Sequence, residues 1–144
     1  MTDERIAEHL KLLCKYLGYL QTLALKPKEE LLGDMALRGA SERYLQLAIE
    51  SCLNIGGRIL ALQDEASELT APENYADIFI KLGKLGVFSQ SFVFNLVNMA
   101  KFRNKLVHGY WEISPDKLYD ILTENLKDIQ DFKKGITIYL SKDT

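Results

Sequence analysis

Cysteine, histidine, proline and tryptophan are all scarce in this sequence of 144 residues, with two, two, three and one copies. Cys14 and Cys52 lie far apart and outside any Cys-x-x-Cys spacing, so neither a disulfide framework nor a thiol redox motif is indicated; both are expected to be reduced and buried. His9 and His108 cannot complete a structural zinc pattern with them, and no acidic cluster suggests a carboxylate-held magnesium site. No metal or cofactor is expected.

Three prolines and no Ser/Gly-rich stretch leave no place for an interdomain linker. With 47% hydrophobic residues there is apolar material for one core, and residues 1–144 are read as one domain. The longest apolar runs, such as Phe92-Val93-Phe94, fall far short of the ~20 residues of a membrane span. The start, Met1-Thr2-Asp3-Glu4-Arg5, lacks a charged segment followed by an apolar one, so a cytoplasmic protein is expected. Charge of one sign is lacking too. A formal net charge of −2 excludes polyanion binding through a broad basic surface, and DNA is not an expected partner. A polyanion must be met locally, at Lys101, Arg103, Lys105 and His108, with Lys81 and Lys84 as additions if the fold brings them near.

What the chain does have is helical periodicity. Ile6, Leu10, Leu13, Leu17, Leu20 and Ala24 trace one face of a first helix, which Lys26-Pro27-Lys28 ends. A long second helical region runs to about Gln63 with a kink near Gly39, and its stripe of Leu45, Ile49, Cys52 and Ile59 is interrupted by Gly56-Gly57. Each glycine costs roughly 1 kcal/mol against alanine in a helix interior, which predicts close approach of another helix there or a local break. Asn74 is an N-cap for a short helix to about Leu85, ending near Gly86. A fourth helix follows Ser89 and reaches Val107, apolar widely enough to be largely buried. Ser114-Pro115-Asp116 starts a long amphipathic last helix. No segment alternates long enough for a strand. The fold class is all-α, a bundle of four or five helices.

Arg103 shares a face of the fourth helix with Phe92, Leu96 and Met99. A guanidinium ending an apolar stripe cannot lose its charge, so it must be paired, hydrated or aimed at an anion. Asn104 and His108 are four residues apart and share a face one turn on. Gly109 lets the chain leave the helix and present His108 and Tyr110 at its end, while Leu106 and Val107 anchor the last turn in the core.

The segment Arg103-Asn104-Lys105-Leu106-Val107-His108-Gly109-Tyr110 resembles the signature motif of the HEPN superfamily. The whole chain resembles the HepT toxin branch, through Ser41-Glu42-Arg43-Tyr44-Leu45-Gln46-Leu47-Ala48-Ile49-Glu50, Tyr75-Ala76-Asp77-Ile78-Phe79 and Phe102-Arg103-Asn104. The resemblance implies a metal-independent endoribonuclease toxin acting on RNA as a two-fold homodimer, with the two motifs facing each other in a cleft. His108 is then the general acid/base, Arg103 binds the scissile phosphate and stabilises its developing charge, and Asn104 orients either group. It further implies an MntA-like nucleotidyltransferase antitoxin that adds AMP to Tyr110.

Plainer readings stand beside these. Arg103 and His108 without the resemblance are a satisfied helix-end cluster, in which a charged His108 gains from the dipole, and Tyr110 and Trp111 are apolar caps over that end. Arg43 and Arg58 are expected on a solvated or salt-bridged face, and His9 on the surface of the first helix. The alternative function is a non-catalytic HEPN module that docks a nucleotidyltransferase; such modules often lose the arginine or the histidine, and both are present.

Overall fold

The computed structural model describes residues 3–63, 71–108 and 113–142. It is all-α, with no strand among the described residues: α1 (Glu4–Ala24), α2 (Lys28–Gly33), α3 (Met35–Ala61), α4 (Tyr75–Lys84), α5 (Gln90–His108), α6 (Pro115–Asp120), a π-helical turn (Ile121–Asn125) and α7 (Leu126–Lys142). α1 lies along α3, which also packs against α4, α5 and α7, so α3 is the central helix of the bundle. Leu13, Leu20, Leu45, Ile49, Ile55, Phe79, Leu96 and Phe132 are among the fully buried side chains of one continuous core. No described helix is long and apolar enough to cross a membrane.

The helix ends follow from capping chemistry. Asp3 accepts the backbone N–H groups of Arg5 and Ile6 at the start of α1, Asn74 accepts that of Asp77 at 2.9 Å, and Ser114 accepts that of Lys117 ahead of Pro115. These side chains satisfy donors that a helix start leaves unpaired. Gly86, at φ +82°, closes α4 in the left-handed conformation that a side chain would strain.

One boundary differs from expectation. The second helical region is two helices, broken at Asp34 and not at Gly39. Asp34 leaves the helical conformation and caps α3 by accepting from Ala36 and Leu37 at 2.8 and 3.2 Å; a side-chain acceptor there outweighs the weak helix propensity of a glycine inside an otherwise good helix. The last helix runs through a π turn at Ile121–Asn125. The fourth helix of the sequence, α5, is less buried than its composition suggests: Val93, Leu96, Ala100 and Phe102 face the core while Phe94 is 67% exposed.

Gly56 has the predicted helix contact, since a Cβ there would lie 2.7 Å from Ile78 Cγ2 and 3.0 Å from Leu82 Cδ1 of α4. Gly83 does the same between α4 and α5, where a Cβ would meet Val93. These two glycines set how closely α4 lies against its neighbours, and α4 carries one wall of the site described next.

Of the two cysteines, Cys52 is fully buried, and burial pushes its thiol far above the ordinary range. Cys14, expected to be buried, is exposed beside Lys133 Nζ at 3.5 Å: it sits one position past Leu13 and leaves the apolar stripe. His9 is half-buried, and its Nδ1 is shielded without a hydrogen-bond partner.

Gly56→Val should destabilise the fold by roughly 2–3 kcal/mol, because a branched side chain overpacks the α3–α4 contact. Gly18→Ala, where a Cβ meets nothing within 4 Å, should stabilise it by roughly 0.5–1 kcal/mol through helix propensity. Urea unfolding of both variants checks the pair.

Candidate active site

The last two turns of α5 carry the polar groups singled out in the sequence. Ser89 starts this helix, its hydroxyl accepting from the Phe92 N–H and its carbonyl from that of Val93. Phe102 and Leu106 then hold the far end against the core, while Val107, expected to help, is 40% exposed. Arg103, Asn104 and His108 all line one open groove of about 820 Å³, together with Lys101 and, from the start of α4, Asn74 and Tyr75.

Arg103 is not a solvated cation. Its Nη2 donates to Glu50 Oε1 of α3 at 2.9 Å, with only 14% of the arginine side chain exposed. Its Nη1 donates to Asn104 Oδ1 at 3.3 Å, and its guanidinium lies 4.7 Å above the centre of the Tyr75 ring. Its Nε is buried with no hydrogen-bond partner. Carboxylate, amide and aromatic face thus fix a planar cation from three sides. Glu50 is itself steadied by Gln46 Nε2, which donates to the same oxygen at 3.1 Å.

Tyr75 owes its place to the cap below it. Asp77 accepts the Glu73 N–H at 3.0 Å and pairs with Lys81 at 3.3 Å. The Glu73 N–H, and after it Lys81, hold the Asp77 carboxyl below its ordinary value of 3.8 against the opposing effect of desolvation. His108, the last residue of α5, is exposed at the mouth of the groove. Asn104 and His108 share a side of the helix, as their spacing predicts, with Arg103 on the neighbouring, more buried side. Among the described residues, no three His, Cys, Asp or Glu side chains are grouped to hold a metal ion.

A family model for HepT-like ribonucleases matches residues 6–136. The chain belongs to the ribonuclease HepT-like family. This HepT-like chain is 26% identical over 137 residues to the tRNA nuclease HepT of Aphanizomenon flos-aquae, covering 94% of this chain and 89% of that one. It is 27% identical over 99 residues to the mRNA nuclease HepT of Shewanella oneidensis, covering 69% and 71%. Its fold matches that of the tri-AMPylated Shewanella oneidensis HEPN toxin, solved in complex with an MNT antitoxin, at a TM-score of 0.85 and 23% identity over 95% and 99% of the two chains. It also matches the cytosolic protein YutE of Bacillus subtilis, at 0.71 and 21% over 95% and 92%.

The cationic patch expected from the sequence does not form as one surface in the HepT-like fold. Arg103 is paired with Glu50, Lys81 is 6% exposed and paired with Asp77, and Lys105 lines a cavity on the other side of α5. Lys84 is exposed outside the groove. Arg43 is exposed, and Arg58 is tied to Asp3 through Nε and Nη2 at 3.1 and 3.0 Å, so neither reaches the site. Gly109, Tyr110 and Trp111 lie outside the described residues. Sequence reading assigned no role to Glu50 or Tyr75, although both stand in the quoted segments. Their contacts with Arg103 span long stretches of chain that no local periodicity connects.

The Asp77 shift has a definite sign. A carboxyl whose folded value is depressed stabilises the fold fully above its ordinary value, and that contribution is lost as pH falls below it. Asp77→Asn should therefore lower the urea midpoint near neutral pH, and the gap to wild type should narrow as pH falls from about 5 through the ordinary value of 3.8 and below it; a constant gap would show that the charge of Asp77 contributes nothing.

Proposed function

We propose that this helical domain is the toxin of a toxin–antitoxin pair, a metal-independent endoribonuclease acting on cytoplasmic RNA as a two-fold homodimer. The observation that carries the reading is that Arg103, Asn104 and His108 line one open groove. Family membership supports it, as do the nuclease names of the relatives.

In this reaction a base takes the proton of a ribose 2′-hydroxyl, and the 2′-oxygen attacks the neighbouring phosphorus. The bond from phosphorus to the 5′-oxygen breaks, and an acid protonates that leaving oxygen. The products are a 2′,3′-cyclic phosphate and a 5′-hydroxyl, so no water or metal is consumed. Imidazole suits both proton transfers near neutral pH. One chain offers one such histidine at the groove; a two-fold dimer supplies the second. Arg103, preset by Glu50 and Tyr75, turns its remaining N–H donors to the phosphate as charge grows on it, and Asn104 keeps the guanidinium plane oriented.

The antitoxin partner is a nucleotidyltransferase of the MntA kind. The phenolic oxygen of Tyr110 attacks the α-phosphorus of ATP, pyrophosphate leaves, and a tyrosyl-AMP phosphodiester remains two residues beyond His108. The negative charge and bulk added so near His108 in the sequence repel RNA, by the logic of phosphorylation near an anion site. A related toxin is tri-AMPylated in complex with its antitoxin, in line with this control.

Purified protein incubated with total cellular RNA in EDTA should cut it and leave cyclic phosphate ends. Arg103→Ala and His108→Ala should each lower the rate by roughly 10²–10⁴-fold. Urea unfolding of the His108→Ala variant separates an effect on chemistry from one on folding. Intact RNA with all three proteins, when mass spectrometry shows Tyr110 unmodified, would replace this reading with the nucleotidyltransferase-docking module. A separate mass measurement after incubation with antitoxin and ATP should show added AMP in wild type and none in Tyr110→Phe.

A further inference from the structure

A second cavity, of about 330 Å³, lies on the other side of α5 from the Arg103 groove. It lies between α5 and the segment of α6, the π turn and the start of α7, with α3 beneath. Its accessible apolar lining is Met99 and Ile121, both half-buried, over Ile49 and Ile129, which are almost fully covered. Its rim carries Lys105, Lys117, Asn95, Asn98 and Asn125. Lys101, exposed on the ridge of α5, lines both cavities.

Within this cavity stands a carboxylate with little to satisfy it. Asp128 is 8% exposed. It accepts one long hydrogen bond, 3.4 Å from Asn125 Nδ2 at the end of the π turn, and no ion pair of Asp128 occurs among the described residues. An ionised carboxylate has about four lone-pair sites, and burying one costs free energy unless donors meet it. Asp128 thus has capacity to accept further N–H groups, in the same cavity as the half-buried Met99 and Ile121.

We infer that this cavity is a guanine subsite for the RNA nucleotide next to the one cut. The inference rests on the ribonuclease reading for its link to cleavage, but binding itself does not need that reading. Guanine alone among the four bases presents two adjacent N–H donors, N1–H and N2–H, that one carboxylate accepts together. Adenine and cytosine offer a single amino group, and uracil's N3–H sits between two carbonyl oxygens that a carboxylate repels. Met99 and Ile121 take the face of the base, as apolar side chains do for splayed single-stranded bases. Lys101 and Lys105 hold the phosphates as the strand crosses the ridge toward Arg103.

The test is binding of 5′-GMP, 5′-AMP, 5′-CMP and 5′-UMP to the full chain, followed by NMR of the Met99 methyl group. GMP should bind roughly 10-fold or more tighter than the others, with contacts between the guanine ring and the Met99 methyl. Asp128→Asn should abolish the preference, Lys105→Glu should weaken all four nucleotides while keeping it, and Arg103→Ala should leave it unchanged. Equal affinity for the four nucleotides, or guanine contacts away from Met99, would overturn the subsite; this arm stands even if Asp128→Asn fails to fold. If the wild type cuts RNA, its cut sites should be enriched in guanosine on one side and Asp128→Asn should lose that enrichment. GMP preference without any RNA cleavage would leave the subsite standing and remove the ribonuclease reading, whereas cleavage without GMP preference would do the reverse.

Discussion

A guanidinium held in the seam between two helices needs a partner, and the Arg103–Glu50 pair supplies one for this fold. It joins α5 to the central helix α3 at 2.9 Å, with the two side chains 14% and 28% exposed. At that depth an unpaired arginine would be strongly unfavourable, because its charge cannot be removed by deprotonation. The helix packing and the pair therefore depend on each other. α5 must lie where Arg103 meets Glu50, and α4 must lie where Tyr75 covers the cation.

The same pairing makes the cation useful. A free surface arginine is a mobile charge that loses conformational freedom on meeting a phosphate. Here Glu50, Asn104 and Tyr75 have already spent that freedom, so a phosphate entering the groove finds a fixed plane of donors. Glu50 also offsets the charge of Arg103, which fits a chain of formal net charge −2 better than an open basic surface would. Positive charge at the groove is thus placed in a few fixed groups rather than spread as a general field.

α5 works as a ridge with a cavity on either side. Val93, Leu96 and Ala100 anchor it, small contacts at Gly56 and Gly83 bring α4 close on one side, and a cavity lies between it and α6 and α7 on the other. The π turn at Ile121–Asn125 puts both of its end residues on that second cavity. The Arg103 groove and the Asp128 cavity thereby lie on opposite flanks of one helix, with Lys101 between them.

Local chemistry was legible along the chain. Caps at Asn74 and Ser114, the stop at Gly86 and the apolar stripes of α1, α3 and α7 depend on residues a few positions apart, and they marked all the long helices. Local strength also misled: Gly39 looked like the weak point of the second helical region, but the acceptor at Asp34 decided the break. Wide apolarity in α5 suggested full burial, although Phe94 stands on an exposed ridge. The sequence by itself determined the helical class, the caps and which polar residues gather at the end of α5, because spacing at 100° per residue fixes the side of a helix on which each residue lies. Only the tertiary structure decided that Arg103 is clamped by Glu50 and Tyr75, that Lys81 and Lys105 are kept from its groove, and that Asp128 faces a cavity, since those relations join residues far apart in the chain through the packing of separate helices.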